Sequence, residues 1–192
     1  MRYSISLIIC LCIFCMQTFS QNAKDTSGAA YERMISLVQN GKPAPDFKYV
    51  RSTGDTVQFS VFKGKYIVMD LWATWCGPCK AEIPRYENLQ EIFANDNIVF
   101  ISISIDDDKQ TWKNFVEERK LKGVQVWAGG KTKAPAYYYT IMDGKEFNIP
   151  GYGSGVPVFV LIGPDGKIIN KSAPRPSDGL EELLNEQKGL KK

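Results

Sequence analysis

Apolar residues along this chain fall into short continuous runs and into stripes at three- or four-residue spacing. The two patterns alternate in a way that predicts strands interleaved with helices. Tyr66–Trp72 is too apolar on both faces for an edge strand and reads as a central one, and Ile98–Ile105 reads as a second buried strand. Phe47–Arg51 and Thr56–Phe59, separated by Ser52-Thr53-Gly54-Asp55, predict a hairpin. Cys79–Ala94 carries Ile83, Tyr86, Leu89 and Phe93 at helical spacing, with Pro84 inside it as an expected kink. A second helix is expected over Lys109–Arg119, capped by Asp107 or Asp108, and a short strand over Val124–Trp127. A further helix is expected around Ala134–Met142. Pro157–Ile162 then reads as a strand that Gly163-Pro164-Asp165-Gly166 turns into Lys167–Lys171. Asp178 with Glu181 forms a capping-box-like start to a last helix. Strands alternating with helices and closed by a hairpin and helix give an α/β fold with a mixed central sheet flanked by helices.

The first residues do not belong to that pattern. Arg2, the apolar run Ile5 to Phe14 and the small residues around Thr18-Phe19-Ser20 predict a signal peptide over residues 1–20, cleaved after about Ser20. The run falls short of the roughly 20 apolar residues that span a bilayer, so export is favoured over a retained anchor. Residues 21–40 read as a polar leader with a short helix over Ala29–Gln39, and residues 41–190 as one domain. Loss of the first 20 of 192 residues leaves 172, enough to bury a single sufficient core.

Signal removal changes the cysteine arithmetic. Cys10, Cys12 and Cys15 leave with it, and Cys76 and Cys79 remain. An exported protein stapled by disulfides would carry several pairs over long loops, whereas this pair closes a very short one. Its use is therefore chemical rather than structural. Cys-x-x-Cys at a helix start places the first sulfur at unpaired amides and the positive end of the helix dipole, which favours a thiolate. The same spacing also builds zinc sites. The chain has no histidine, which removes the commonest metal ligand and the usual base of Ser and Cys hydrolases. Without Arg2 the charge is 23 basic against 21 acidic residues, with no basic block for nucleic acid.

Several motifs then appear in one order. They are Gly41-Lys42-Pro43-Ala44-Pro45-Asp46-Phe47, the run from Asp70 through Trp75-Cys76-Gly77-Pro78-Cys79 to Pro84, and Val156-Pro157-Val158-Phe159 followed by Asp165-Gly166-Lys167. Together they resemble the thioredoxin superfamily, and within it the exported TlpA/ResA-like thiol–disulfide oxidoreductases, over Gly41 to Lys188. The resemblance implies a thioredoxin fold with an N-terminal hairpin and a helix–strand insertion at Asp107–Trp127. It implies Cys76 as nucleophile, Cys79 as resolving thiol, and Pro157 as a cis-proline that frees the Val156 backbone for substrate. Trp75, Gly77 and Pro78 would surround the sulfurs, with Trp72 beneath the helix. Two acids compete to take the Cys79 proton: Asp70, matching the buried acid of thioredoxins, and Glu82, matching that of the ResA-like group. Asp70 ranks first, because the alternative for Glu82 is a solvated helix residue.

Gly77-Pro78 offers no histidine to stabilise a thiolate, so the resemblance implies a reductant of protein disulfides. A membrane electron donor would recharge it, with no cofactor and no metal, and the working unit would be a monomer. Apocytochrome maturation and general protein-thiol reduction both fit. A thiol peroxidase of the peroxiredoxin type shares Ala44-Pro45-Asp46-Phe47, but its active-site pattern resembles Pro-x-x-x-Thr-x-x-Cys, and here Thr74 stands two before Cys76. A non-catalytic binding module is the other alternative. The loop Asp143–Gly155 and Tyr137-Tyr138-Tyr139 are expected to shape partner choice.

Overall fold

Tyr66–Trp72, expected as a central strand, lies inside the sheet with a strand on either side and is buried along its whole length. In the computed structural model, residues 33, 35–129, 139, 141–142 and 153–189 are described. The chain divides into two compact units, Met1–Ser36 and Leu37–Lys192. In the first unit Arg33, Ile35 and Ser36 are helical, and Ser36 Oγ donates to Arg33 O at 2.7 Å. The predicted signal peptide and most of the leader helix lie outside the described residues.

The second unit holds a seven-stranded sheet. Its strands are β1 (Lys48–Arg51), β2 (Thr56–Gln58), β3 (Tyr66–Trp72), β4 (Ile98–Ser104), β5 (Val124–Trp127), β8 (Val158–Ile162) and β9 (Ile168–Ala173), in the order β2-β1-β5-β4-β3-β8-β9. β3 runs parallel to β4 and antiparallel to β8, so the sheet is mixed as expected. The hairpin forms, with Lys48 opposite Gln58, and Gly54 makes its turn at φ 94°. Phe59 leaves the strand and opens a 3-10 turn over Phe59–Phe62.

Three helices cover one face of the sheet: α1 (Gly77–Ile92), α2 (Lys109–Arg119) and α3 (Leu180–Gly189). Because side chains alternate along a strand, Tyr66, Val68, Asp70 and Trp72 point to that face, while Ile67, Met69 and Leu71 point to the other. Tyr86, Leu89 and Phe93 join Leu180 and Leu184 over Val68, Phe159 and Leu161. The opposite face is closed by Val38, Phe47, Tyr49, Phe59 and Tyr139. Asp108, one of the two expected caps, starts α2 by accepting the Thr111 N–H at 2.8 Å. α1 runs through Pro84 and begins two residues before the predicted Cys79.

Two expectations need correction. The helix predicted over Ala134–Met142 ends in a strand. β6 (Ile141–Met142) pairs with β7 (Gly153–Ser154), and Ile141 stands opposite Ser154. The backbone groups at this end are satisfied across a ladder, and β-branched Ile141 suits that pleated setting. The same ladder takes in the end of the predicted Asp143–Gly155 loop. The rest of that loop, with Tyr137 and Tyr138, lies outside the described residues. Tyr139 belongs to the core and not to a partner surface. At the C-terminal end, α3 starts at Leu180 after Gly179 at φ 104°, so Asp178 stands one residue outside the cap position.

The layer between α1 and β8 should dominate stability. Phe159→Ala, which empties a site against the Tyr86 ring at 5.7 Å, is expected to cost about 3–5 kcal/mol in urea unfolding. Ile92→Ala on the exposed side of α1 should stay within about 0.5 kcal/mol of the native protein.

Candidate active site

β3 delivers the chain to the site, and a tight turn after Trp72 sets the first cysteine. The Cys76 N–H donates to Ala73 O at 3.0 Å, and Cys76 then caps α1 with extended backbone. Its Sγ accepts the Cys79 N–H at 3.1 Å, satisfying one of the helix's orphan amides. Pro78 sits in the first turn, where its missing N–H costs nothing. Cys76 and Cys79 are joined in a disulfide with Cα atoms 5.3 Å apart. The two residues are 5% and 3% exposed, so the first is scarcely nearer the surface than the second. Trp75 projects outward at 59% exposure, beside Gly77 and Pro78. Trp72 is buried against the Phe115 ring of α2 at 5.5 Å and shares a cluster with both cysteines.

The Val156–Pro157 peptide is cis and forms the opposite wall. Val156 O lies 3.5 Å from Cys76 Sγ, and its side chain packs into the cluster of Cys76, Cys79 and Trp72. The polar contacts of Cys76 Sγ among the described residues are thus a backbone amide and a backbone carbonyl.

Both predicted acids come to the interface between β3 and α1. Asp70 stands opposite Ser102 on β4 and Phe159 on β8, facing α1. Burial first, and then the charge of Glu82, push its carboxyl up to about 8, while the Ser102 side chain pulls the other way. Its Oδ1 has no hydrogen-bond partner among the described residues. Burial, followed by the charge of Asp70, raises the Tyr86 hydroxyl well above its usual range. That hydroxyl donates to Val68 O at 3.0 Å. Glu82 is not the solvated residue that the sequence left open. On α1 the buried stripe is Cys79, Glu82, Tyr86 and Leu89. Glu82 Oε1 accepts the Ser177 hydroxyl at 2.7 Å, and Oε2 accepts the Ser177 N–H at 3.0 Å.

Sequence reasoning missed two residues here. Asp106, buried after β4, accepts the Thr74 hydroxyl at 2.8 Å, the Thr74 N–H at 3.1 Å and the Ser104 hydroxyl at 2.6 Å. Its backbone carbonyl accepts the Trp127 indole N–H at 2.7 Å. It therefore ties the turn before Cys76 to the ends of β4 and β5. Its signal in the sequence is its place as the first of three aspartates directly after a buried strand. Ser177 is the other. Among the described residues no group of three or more His, Cys, Asp or Glu is arranged to hold a metal ion.

Known proteins resemble this chain in sequence and fold. The sequence profile of the AhpC/TSA family matches residues 40–171. The thiol-disulfide oxidoreductase ResA of Bacillus thuringiensis subsp. konkukian is 30% identical over 147 residues, covering 75% of this chain and 76% of that protein. A proposed thiol-disulfide oxidoreductase from Bacteroides vulgatus, solved in solution, is 39% identical with a TM-score of 0.63, covering 81% of this chain and 94% of the other. The crystallised thioredoxin domain of a Bacteroides vulgatus thiol-disulfide oxidoreductase is 25% identical with a TM-score of 0.61, covering 78% and 98%. The chain belongs to the AhpC/TSA family and, within it, to the thiol–disulfide oxidoreductases of thioredoxin fold.

Proposed function

We propose that this oxidoreductase is exported and reduces protein disulfides through the Cys76–Cys79 pair. The observation that carries the reading is the sulfur of Cys76 held at the start of α1 by the Cys79 amide, with the Val156 carbonyl beside it. In the reduced enzyme, the same amide and the helix dipole stabilise a Cys76 thiolate. That thiolate attacks a substrate disulfide. A Cys76–substrate bond forms, and one substrate sulfur leaves as a thiolate that takes a proton from water. Cys79 then passes its proton to the Asp70 carboxylate and attacks Cys76 Sγ. The Cys76–Cys79 bond forms, and the second substrate thiolate departs with the proton that Asp70 had accepted, which returns Asp70 to its carboxylate. The substrate gains two electrons and two protons in all, and a membrane electron donor restores the dithiol. Pro157 supports substrate pairing by presenting the Val156 backbone beside the sulfur.

The direction follows from what stabilises the reduced pair. A strong oxidant gains its high potential from a well-stabilised reduced form. Cys76 Sγ has one backbone donor, and Gly77-Pro78 supplies no cation, which favours reduction of the substrate. Export is supported by the pattern of residues 1–20, and no helix among the described residues is long and apolar enough to cross a membrane. The family profile also makes peroxide reduction a second reading. Against it, Thr74 is engaged by Asp106 and not placed as in the peroxidase pattern.

The test is insulin-disulfide reduction beside peroxide consumption. Native enzyme should reduce insulin, Cys76→Ser should abolish turnover, and Cys79→Ser should accumulate a mixed disulfide. Peroxide consumption without insulin reduction would reverse the assignment.

Asp70 makes two pH-dependent predictions. Turnover should rise as pH passes through about 8, where the carboxylate becomes available as a base, and Asp70→Asn should lose that limb. Glu82→Gln should cost turnover less, and equal losses would reverse the ranking of the two acids. The same group governs stability. Asp70 ionises at about 4 in the unfolded chain, and burial pushes it up to about 8 in the fold. Folding therefore takes up a proton between these values, and the stability it confers is complete below the lower value and lost as pH rises through the upper. Asp70→Asn should gain stability relative to native as pH rises from 4 to 8, read as urea midpoints at both ends.

A further inference from the structure

Ser177 lies 95 residues from Glu82 in the chain, yet both of its hydrogen-bond donors end on that one carboxyl group. The turn that brings it there is stiff. Pro174 and Pro176 bracket Arg175 and fix their own φ angles. Arg175 O accepts the N–H groups of Asp178 at 2.9 Å and Leu180 at 3.2 Å. Leu180 and Leu184 anchor the following helix in the cluster that also holds Tyr86 of α1. Docking of α3 therefore carries Ser177 to the buried stripe of α1.

The donors are shared unequally between the two acids. Each oxygen of Glu82 receives a donor, which suits an ionised carboxylate that only accepts. The Ser102 side chain reaches the Asp70 carboxyl, but its Oδ1 receives no donor among the described residues, and a buried carboxylate oxygen left unpaired is costly. Two like charges at one buried interface disfavour joint ionisation, so one of the pair holds a proton. The other groups around Asp70 leave this balance in place. Ser102, Gln125, Tyr86 and Glu87 line the small cavity beside it. Lys122 lines it too, but its ammonium is bound to Glu91, while its N–H donates to Glu87 at 3.0 Å. Arg175 and Asp178 on the turn, and Lys80 and Arg85 on α1, are exposed.

We propose that Ser177 is a positioning residue that holds Glu82 as the ionised member of the buried pair and so leaves the exchangeable proton on Asp70. The use of that proton in turnover rests on the dithiol–disulfide reading above, whereas its location does not. Ser177 is itself exposed, so removing its hydroxyl leaves the core intact.

The test is a pH titration of the full-length oxidised protein labelled with 13C at Asp and Glu carboxyls, whose side-chain signals are resolved by residue type. Asp70 is identified as the signal lost in Asp70→Asn. Ser177→Ala should lower the Asp70 midpoint by about half a pH unit, because the neighbouring charge loses one of its two donors. Ser177→Thr, which keeps a hydroxyl, should restore it. Glu82→Gln, which removes that charge, should lower the Asp70 midpoint further. The proposal fails if Ser177→Ala leaves the Asp70 midpoint unmoved or raises it, or if Ser177→Thr behaves as Ser177→Ala. Insulin turnover of the same samples reads the functional claim separately, since loss of turnover control by Asp70 would remove that claim while the titrations still decide this one.

Discussion

A strand buried on both faces gives a carboxyl group along it little access to water, and β3 carries Asp70 in that position. Alternation along the strand turns Asp70 toward α1, between Val68 and Trp72. β3 lies inside the mixed sheet, parallel to β4 on one side and antiparallel to β8 on the other. The fold therefore accepts a costly carboxyl group in its interior. That cost makes the Asp70 carboxyl resist ionisation.

The sulfur side of the site rests on a second consequence of the same strand. Where β3 ends, the turn held by Asp106 brings Cys76 to the cap position of α1, and the helix's own amide meets the sulfur. One helix face then buries Cys79, Glu82 and Tyr86 in order against β3. The thiol pair, the acids and the hydroxyl that donates to Val68 O share one rigid layer. Backbone groups meet the Cys76 sulfur, and exposed Trp75 stands at the surface. A site built from rigid elements in this way holds its geometry better than one carried on loops.

Much of this was legible in the order of residues. The apolar runs of β3 and β4 mark buried strands because such runs have no solvent face. The hairpin turn at Gly54 and the cap at Asp108 are local signals that local structure obeyed. What could not be read depends on distant partners. Glu82 looks like a surface residue of α1 until Ser177 arrives to satisfy it. Asp106, Asp107 and Asp108 look alike in sequence, and only the packing of the turn before Cys76 selects the first. Ile141–Met142 follows a stretch with helical spacing, but its ladder partner comes after an intervening segment, so no local pattern announces it.

The central claim is that electrons flow from Cys76 and Cys79 to substrate, because among the described residues a single backbone amide is the hydrogen-bond donor to the Cys76 sulfur. The midpoint potential of the pair at pH 7 tests it most directly. The account predicts a value close to the about −270 mV of thioredoxin. A value near the about −120 mV of a strong periplasmic oxidant would contradict it and reverse the direction of the reaction.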